Sequence, residues 1–169
     1  MESNLLERPV TGSMVLSLRP SAPKPRAAWT RTLTLAVSAP EQARHETKWF
    51  LRKNQHRPDD DVIADAVTVI SELVTNAYLA MTAYDALAGQ ARGKTVEFSL
   101  RLFDDRLLIE VIDASPKVPV INPACDGCAE SGRGLVIVEI LSDDWGFFFH
   151  HGRKVVYATL STEPGARAS

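Results

Sequence analysis

The chain has 169 residues, 45% hydrophobic and 24% charged, with a formal net charge of −2. That length makes room for one domain whose core needs no disulfide or metal staple, and the near-neutral charge gives no footprint for direct nucleic-acid binding. No apolar run reads as a bilayer span and no secretory segment is evident, so the two cysteines point to a reducing compartment, the cytoplasm.

Residues 1–29 carry Pro9, Pro20, Pro23 and Pro25 without a sustained hydrophobic period, and are expected to be a disordered leader. Arg8, Arg19, Lys24, Arg26 and Arg31 against Glu2 and Glu7 give residues 1–31 a charge of +3 and leave −5 for the rest. The basic stretch reads as a solvated tail, or alternatively as a docking arm for an acidic partner. The folded domain is expected at 30–161, followed by a flexible tail at 162–169.

Leu33, Leu35 and Val37 alternate with polar or small residues, which predicts a strand over Arg31–Val37 with one buried face. Ser38, Pro40 and Glu41 then mark a helix start, with the helix running to Asn54. Trp49 and Phe50 on it read as core aromatics, or with Lys48 as part of a partner or dimer surface. Asp59, Asp60 and Asp61 open a second helix at its positive end. Its apolar stripe is Ile63, Ala66, Val67, Ile70, Leu73, Val74, Ala77 and Met81, where the helix is expected to end.

Gly89 to Gly93 reads as a loop. Val96, Phe98, Leu100 and Leu102, then Leu107, Ile109 and Val111 across an Asp104-Asp105 turn, predict an antiparallel pair covered on one side. Ala114 to Ser131 is a long connection with Pro116, Pro119 and Pro123. Leu135 to Leu141 follows, β-branched enough to suit a strand. Trp145–His150 and Lys154–Leu160 predict a closing hairpin around His151-Gly152-Arg153.

Three local signals carry chemistry. Glu72 and Asn76 stand four apart, so one helix face presents both. Asp65 and Val69 extend that edge. An Asn amide oxygen suits Mg²⁺, and a carboxylate one turn away could orient or deprotonate a nucleophile; the plain alternative is a solvated helix edge. Asp113 falls in phase with the core face of its strand, where a carboxylate needs partners. It could accept from an exocyclic amino group, or merely cap the loop. Gly132-Arg133-Gly134 before Leu135 would let backbone amides approach phosphate, or is a plain joint.

Taken in order, "SELVTNAYLA", "LLIEVIDASPKVP" and "ESGRGLVIVEILSDDWGF" resemble the N box and the two glycine boxes of the GHKL ATP-binding superfamily (gyrase, heat-shock chaperone, histidine kinase, MutL). The resemblance covers about Arg31 to Leu160 and is closest to stand-alone anti-sigma-factor serine/threonine kinases and their actinobacterial relatives. It implies an α+β two-layer sandwich: a mixed, mostly antiparallel sheet with helices on one face. It makes Leu135–Leu141 a helix. It implies ATP and Mg²⁺ as cofactors, with Asn76 holding the metal and Glu72 as general base or positioning group. Asp113 would bind the adenine amino group with Ser115 beside it. Gly132, Arg133, Gly134 and Leu135 would sit at the phosphates, at the end of a lid over 115–131. Thr159 is the candidate for an adenine-side threonine, because Val155 stands where relatives often have Thr. A sigma factor or an anti-sigma antagonist is the implied partner, with a possible homodimer.

The chain departs from that pattern at Ala114, where many relatives have Gly, and at Ala77-Tyr78-Leu79-Ala80-Met81, where relatives often place a basic residue and His. Both departures bear on phosphoryl transfer more than on binding, so a nucleotide-responsive module without transfer is a second reading. Cys125 and Cys128 in the lid suggest a third, a redox switch or a zinc site completed by His150 and His151.

Overall fold

The computed structural model describes residues 23–54, 60–88, 95–121 and 133–163. In chain order these form β1 (Ala27–Thr34), α1 (Ala39–Asn54), α2 (Asp60–Ala88), β2 (Thr95–Leu102), β3 (Arg106–Asp113), α3 (Arg133–Leu141), β4 (Asp144–His150) and β5 (Arg153–Ser161). The five strands make one sheet in the order β1-β2-β3-β5-β4, with every neighbouring pair antiparallel. The helices cover one face, giving the expected two-layer sandwich.

The period of two decides what faces the helices. Phe98, Leu100 and Leu102 on β2, Leu107, Ile109 and Val111 on β3, and Val156, Ala158 and Leu160 on β5 all join the core. From the helix layer, α2 meets them with Ile63, Ala66, Ile70, Leu73, Val74, Ala77 and Met81, none more than 4% exposed. Each larger side chain among these contributes about 1.5–3 kcal/mol by burial.

Val69 is fully buried too, so it belongs to this stripe and not to the polar edge with Asp65, Glu72 and Asn76. The helix runs on to Ala88, past the expected end at Met81, and Asp85 in that extra part is buried. The segment Asp60–Ala86, with hydropathy 1.4, is long and apolar enough by composition to cross a membrane, which the sequence reading excluded. Its apolar side chains instead fill the core, which uses the same composition.

β1 differs from expectation at both ends. It pairs with β2 from Ala27 to Thr34, so Trp29 and its neighbours belong to the sheet rather than to a leader. Leu33 and Leu35 are buried as expected, but Val37 is 83% exposed, because the chain is already turning into α1, with the Ala39 N–H donating to Ala36 O. Glu46 of α1 ties down this strand: it accepts from Trp29 Nε1 at 2.9 Å and pairs with Arg31 at 3.3 Å. Phe50 is core. Trp49 is half-exposed and packs against Trp29 at a ring separation of 5.1 Å.

The outer face of the sheet is less open than clean alternation implies. Ser99, Leu108, Glu110, Val155 and Tyr157 are all buried there. Glu110 is paired with Arg101 at 2.9 Å. Gly146 lies opposite Tyr157 in the register, and a Cβ at Gly146 would stand 2.9 Å from the tyrosine hydroxyl, so the strand tolerates glycine for the space it leaves. The β4–β5 hairpin closes through His151 (φ 48°) and Gly152 (φ 74°), the two-residue turn whose twist matches the strands. The expected loop Gly89–Gly93, residues 122–131 of the expected lid, residues 1–22 of the expected leader and residues 164–169 of the expected tail lie outside the described residues.

Burial pushes the Glu110 carboxyl above its ordinary 4.5, with Arg101 pulling it back. Below 4.5 the group is neutral both folded and unfolded; above it the unfolded chain ionises first. Wild-type stability therefore falls as pH climbs from there through the folded value, and Glu110→Gln lacks that loss. Melts at about pH 4 and about pH 7 should show the variant gaining on the wild type at the higher pH. A wild-type advantage that grows with pH would mean that Arg101 outweighs burial.

Candidate functional site

The polar edge of α2 meets the start of α3. Glu72 and Asn76 are half-buried, one turn apart, and Gly134 in the first turn of α3 packs against both. A Cβ on Gly134 would lie 2.5 Å from Glu72 Oε2 and 3.6 Å from Asn76 Nδ2. Glycine is thus what lets the α3 backbone reach this edge. The Asn76 Nδ2 atom is enclosed with no hydrogen-bond partner among the described residues. Arg133 is exposed at the α3 N-terminus, and Gly132 lies outside the described residues.

Asp113, the last residue of β3, is fully buried on the helix-facing side. Its Oδ1 accepts the Ser115 N–H at 2.7 Å. Across the strand pair its register partner is Lys154, itself 4% exposed, whose Nζ stands 3.3 Å from Oδ2. The ammonium donates instead to Lys117 O at 2.9 Å, so the contact with Oδ2 is an ion pair without an aligned hydrogen bond. Burial raises the pKa of Asp113 above 3.8 while Lys154, the Ser115 N–H and Arg153 pull it down.

Asn76, Asp113 and Lys154 open onto a cavity of about 540 Å³, a size suited to a small-molecule ligand. Asn76 borders it, Asp113 and Lys154 form its polar floor, and Leu73, Ala77, Leu135 and Val156 supply apolar wall. Lys117, Val118, Pro119 and Val120 of the expected lid form another side. The residues fit a nucleotide: apolar wall beside polar groups, a carboxylate oxygen held only by its ion pair with Lys154, an amide nitrogen without a hydrogen bond among the described residues, and a glycine-started helix beside that amide. Asn76 could hold Mg²⁺, and Asp113 could accept from a base.

Asn76, Asp113 and Leu135 thus come together as the sequence led one to expect. Ser115 is buried and serves Asp113 through its backbone. Ala114 is exposed and does not line the cavity. Glu72 does not line it either; it packs on Gly134 one turn away. Thr159 is not at the site. It pairs with Leu108 on the outer face and donates to Asp144 O, because it is out of phase with Val156, Ala158 and Leu160. Lys154 was missed, although its phase with those three buried residues is the signal that could have found it. Cys125 and Cys128 lie outside the described residues. The His150 and His151 rings meet edge to face in the hairpin, with centroids 4.1 Å apart.

No family model matches the chain, and no curated protein matches it in sequence. Among solved structures it is similar to the RsbU and RsbW domains of Rv1364c from Mycobacterium tuberculosis, with 20% identity and a TM-score of 0.54 over 82% of this chain and 32% of that one. It is also similar to the SiaB-SiaC complex from Pseudomonas aeruginosa, with 13% identity and a TM-score of 0.56 over 78% of this chain and 88% of that one. The chain spans about a third of the length of the first of these proteins. At such identities the likeness is one of fold alone.

The close approach at Gly134 is testable by a double-mutant cycle. Gly134→Ala should push the Glu72 carboxylate aside, while helix propensity favours Ala by about 1 kcal/mol. With Glu72→Ala present, the methyl has room. The two changes should couple by about 0.5–3 kcal/mol in denaturant unfolding, the double variant being more stable than additivity allows. Strict additivity would show that the two residues do not touch.

Proposed function

We propose that this chain is a cytoplasmic Mg-ATP-binding regulatory protein, an anti-sigma-factor-type serine/threonine protein kinase that acts on a partner protein. The observation that carries this reading is the convergence of Asn76, Asp113 and Leu135 on one cavity, with the glycine-started helix α3 pressed against Glu72 and Asn76. Asp113 accepts from the purine amino group. Asn76 holds the metal, which when bound neutralises phosphate charge. Arg133 and the first amides of α3 face the phosphates, where the helix dipole favours an anion. Glu72 positions the hydroxyl that receives the phosphoryl group. The partner is a sigma factor or an anti-sigma antagonist, with a homodimer as the further alternative, as the motif resemblance implies; the likeness to the SiaB-SiaC complex supports action through a partner protein.

A second reading, a nucleotide-responsive binding module without transfer, is favoured by one observation: Glu72 packs against α3 and does not line the cavity. Labelled ATP with the candidate partner separates the two. Under the kinase reading label reaches the partner, and Glu72→Ala cuts transfer by about 100-fold or more while binding persists. Binding without transfer in the wild type would establish the module.

Calorimetric titration with Mg-ATP tests the site itself. Asn76→Ala should lose affinity by roughly ten-fold or more, and only when Mg²⁺ is present. Asp113→Ala should lose a similar amount with or without Mg²⁺. Since Asp113→Ala leaves Lys154 buried without its counter-charge, the Asp113→Ala/Lys154→Met pair serves as the folded control. Unchanged affinity in all of these would place the nucleotide elsewhere.

A further inference from the structure

Lys154 is a buried cation at the floor of the cavity, and the roles proposed above leave it idle. It sits on β5 directly across from Asp113, on the helix-facing side, with 4% of its surface exposed. Burying an ammonium is costly unless its donors are used. One proton goes to Lys117 O at 2.9 Å. The ammonium has three protons, and the contact with Asp113 Oδ2 at 3.3 Å is not aligned as a hydrogen bond. The group therefore carries donor capacity at the rim of the cavity it lines.

The carboxylate beside it is half used. Oδ1 accepts the Ser115 N–H, and Oδ2 has no hydrogen bond among the described residues. Among the described residues the floor thus offers one acceptor held only by an ion pair, next to the cationic donor that pairs with it. That matches a purine edge carrying an amino group next to an unprotonated ring nitrogen, which is the edge of adenine. Guanine presents two adjacent N–H donors beside its oxygen, and a carboxylate meets them best with both oxygens; here Oδ1 is already taken.

We propose that Lys154 is a specificity-determining residue that donates a charge-assisted hydrogen bond to ring N1 of adenine while Asp113 Oδ2 accepts from the neighbouring amino group. The inference rests on the nucleotide-binding reading above. Lys154 keeps its bond to Lys117 O throughout, so the base of the lid and the bound base share one cation.

The experiment compares ATP with 1-deaza-ATP, in which C–H replaces N1, by calorimetric titration of the full chain. Wild type should bind ATP roughly ten-fold or more tightly over 1-deaza-ATP, the range of a hydrogen bond to a charged group. In Lys154→Met the difference should shrink to about two-fold or less. GTP should bind wild type more weakly than ATP by roughly ten-fold or more. Equal affinity for ATP and 1-deaza-ATP in wild type overturns the role of Lys154 and leaves nucleotide binding standing; this arm does not depend on the variant folding. Discrimination that persists in a folded Lys154→Met, or GTP bound as tightly as ATP, overturns it as well. If wild type binds none of the three, the nucleotide reading fails first and carries this proposal with it.

Discussion

Ile63, Ile70, Leu73, Val74 and Met81 of α2 lie against the inner face of the sheet, and that burial holds the rest in place. Hydrophobic association is non-directional, so on its own it would not fix which helix edge faces what. The period of the stripe fixes it: once these residues are buried, Glu72 and Asn76 must fall along the flank. There α3 can reach them, and Gly134 removes the side chain that would keep the backbones apart. One helix therefore fills the core and carries one wall of the site.

The same layer takes Asp113 out of water. A carboxylate buried beneath a helix stays charged only with help nearby. The help comes from the Ser115 N–H at the base of the lid and from Lys154 on the neighbouring strand. Lys154 is joined in turn to Lys117 O. The floor of the cavity is thus bonded to the first residues of the segment that walls it. Among the described residues Asn76 Nδ2 has no hydrogen bond and Oδ2 has only its ion pair with Lys154, a shortfall that a polar ligand would relieve.

The opposite face of the sheet has its own polar device. Glu110 and Arg101 sit among Leu108, Val155 and Tyr157, and Arg153 pairs with Glu97 at 3.4 Å on the same face, so the outer layer mixes apolar side chains with ion pairs. Desolvation of such a pair offsets much of its attraction, and the raised pKa of Glu110 is the mark of that balance. Alternation along β2 and β3 identified the inner face correctly but cannot report what closes over the outer one, because exposure depends on neighbouring strands remote in sequence.

The sequence by itself determined the elements and the inner-face residues, because a period of 3.6 or two follows from backbone geometry alone. It also placed Asp113 on the buried face and paired Glu72 with Asn76. The family resemblance, not local propensity, made Leu135–Leu141 a helix, since Val136, Ile137, Val138 and Ile140 suit a strand equally well. Only the tertiary structure decided the end points of β1 and α2, which are set by a paired strand and by packing. The faces of Thr159 and Lys154 follow from their phase along β5, but only the tertiary structure put Lys154 beside Asp113, since which residues meet across two strands depends on a register that no single segment contains.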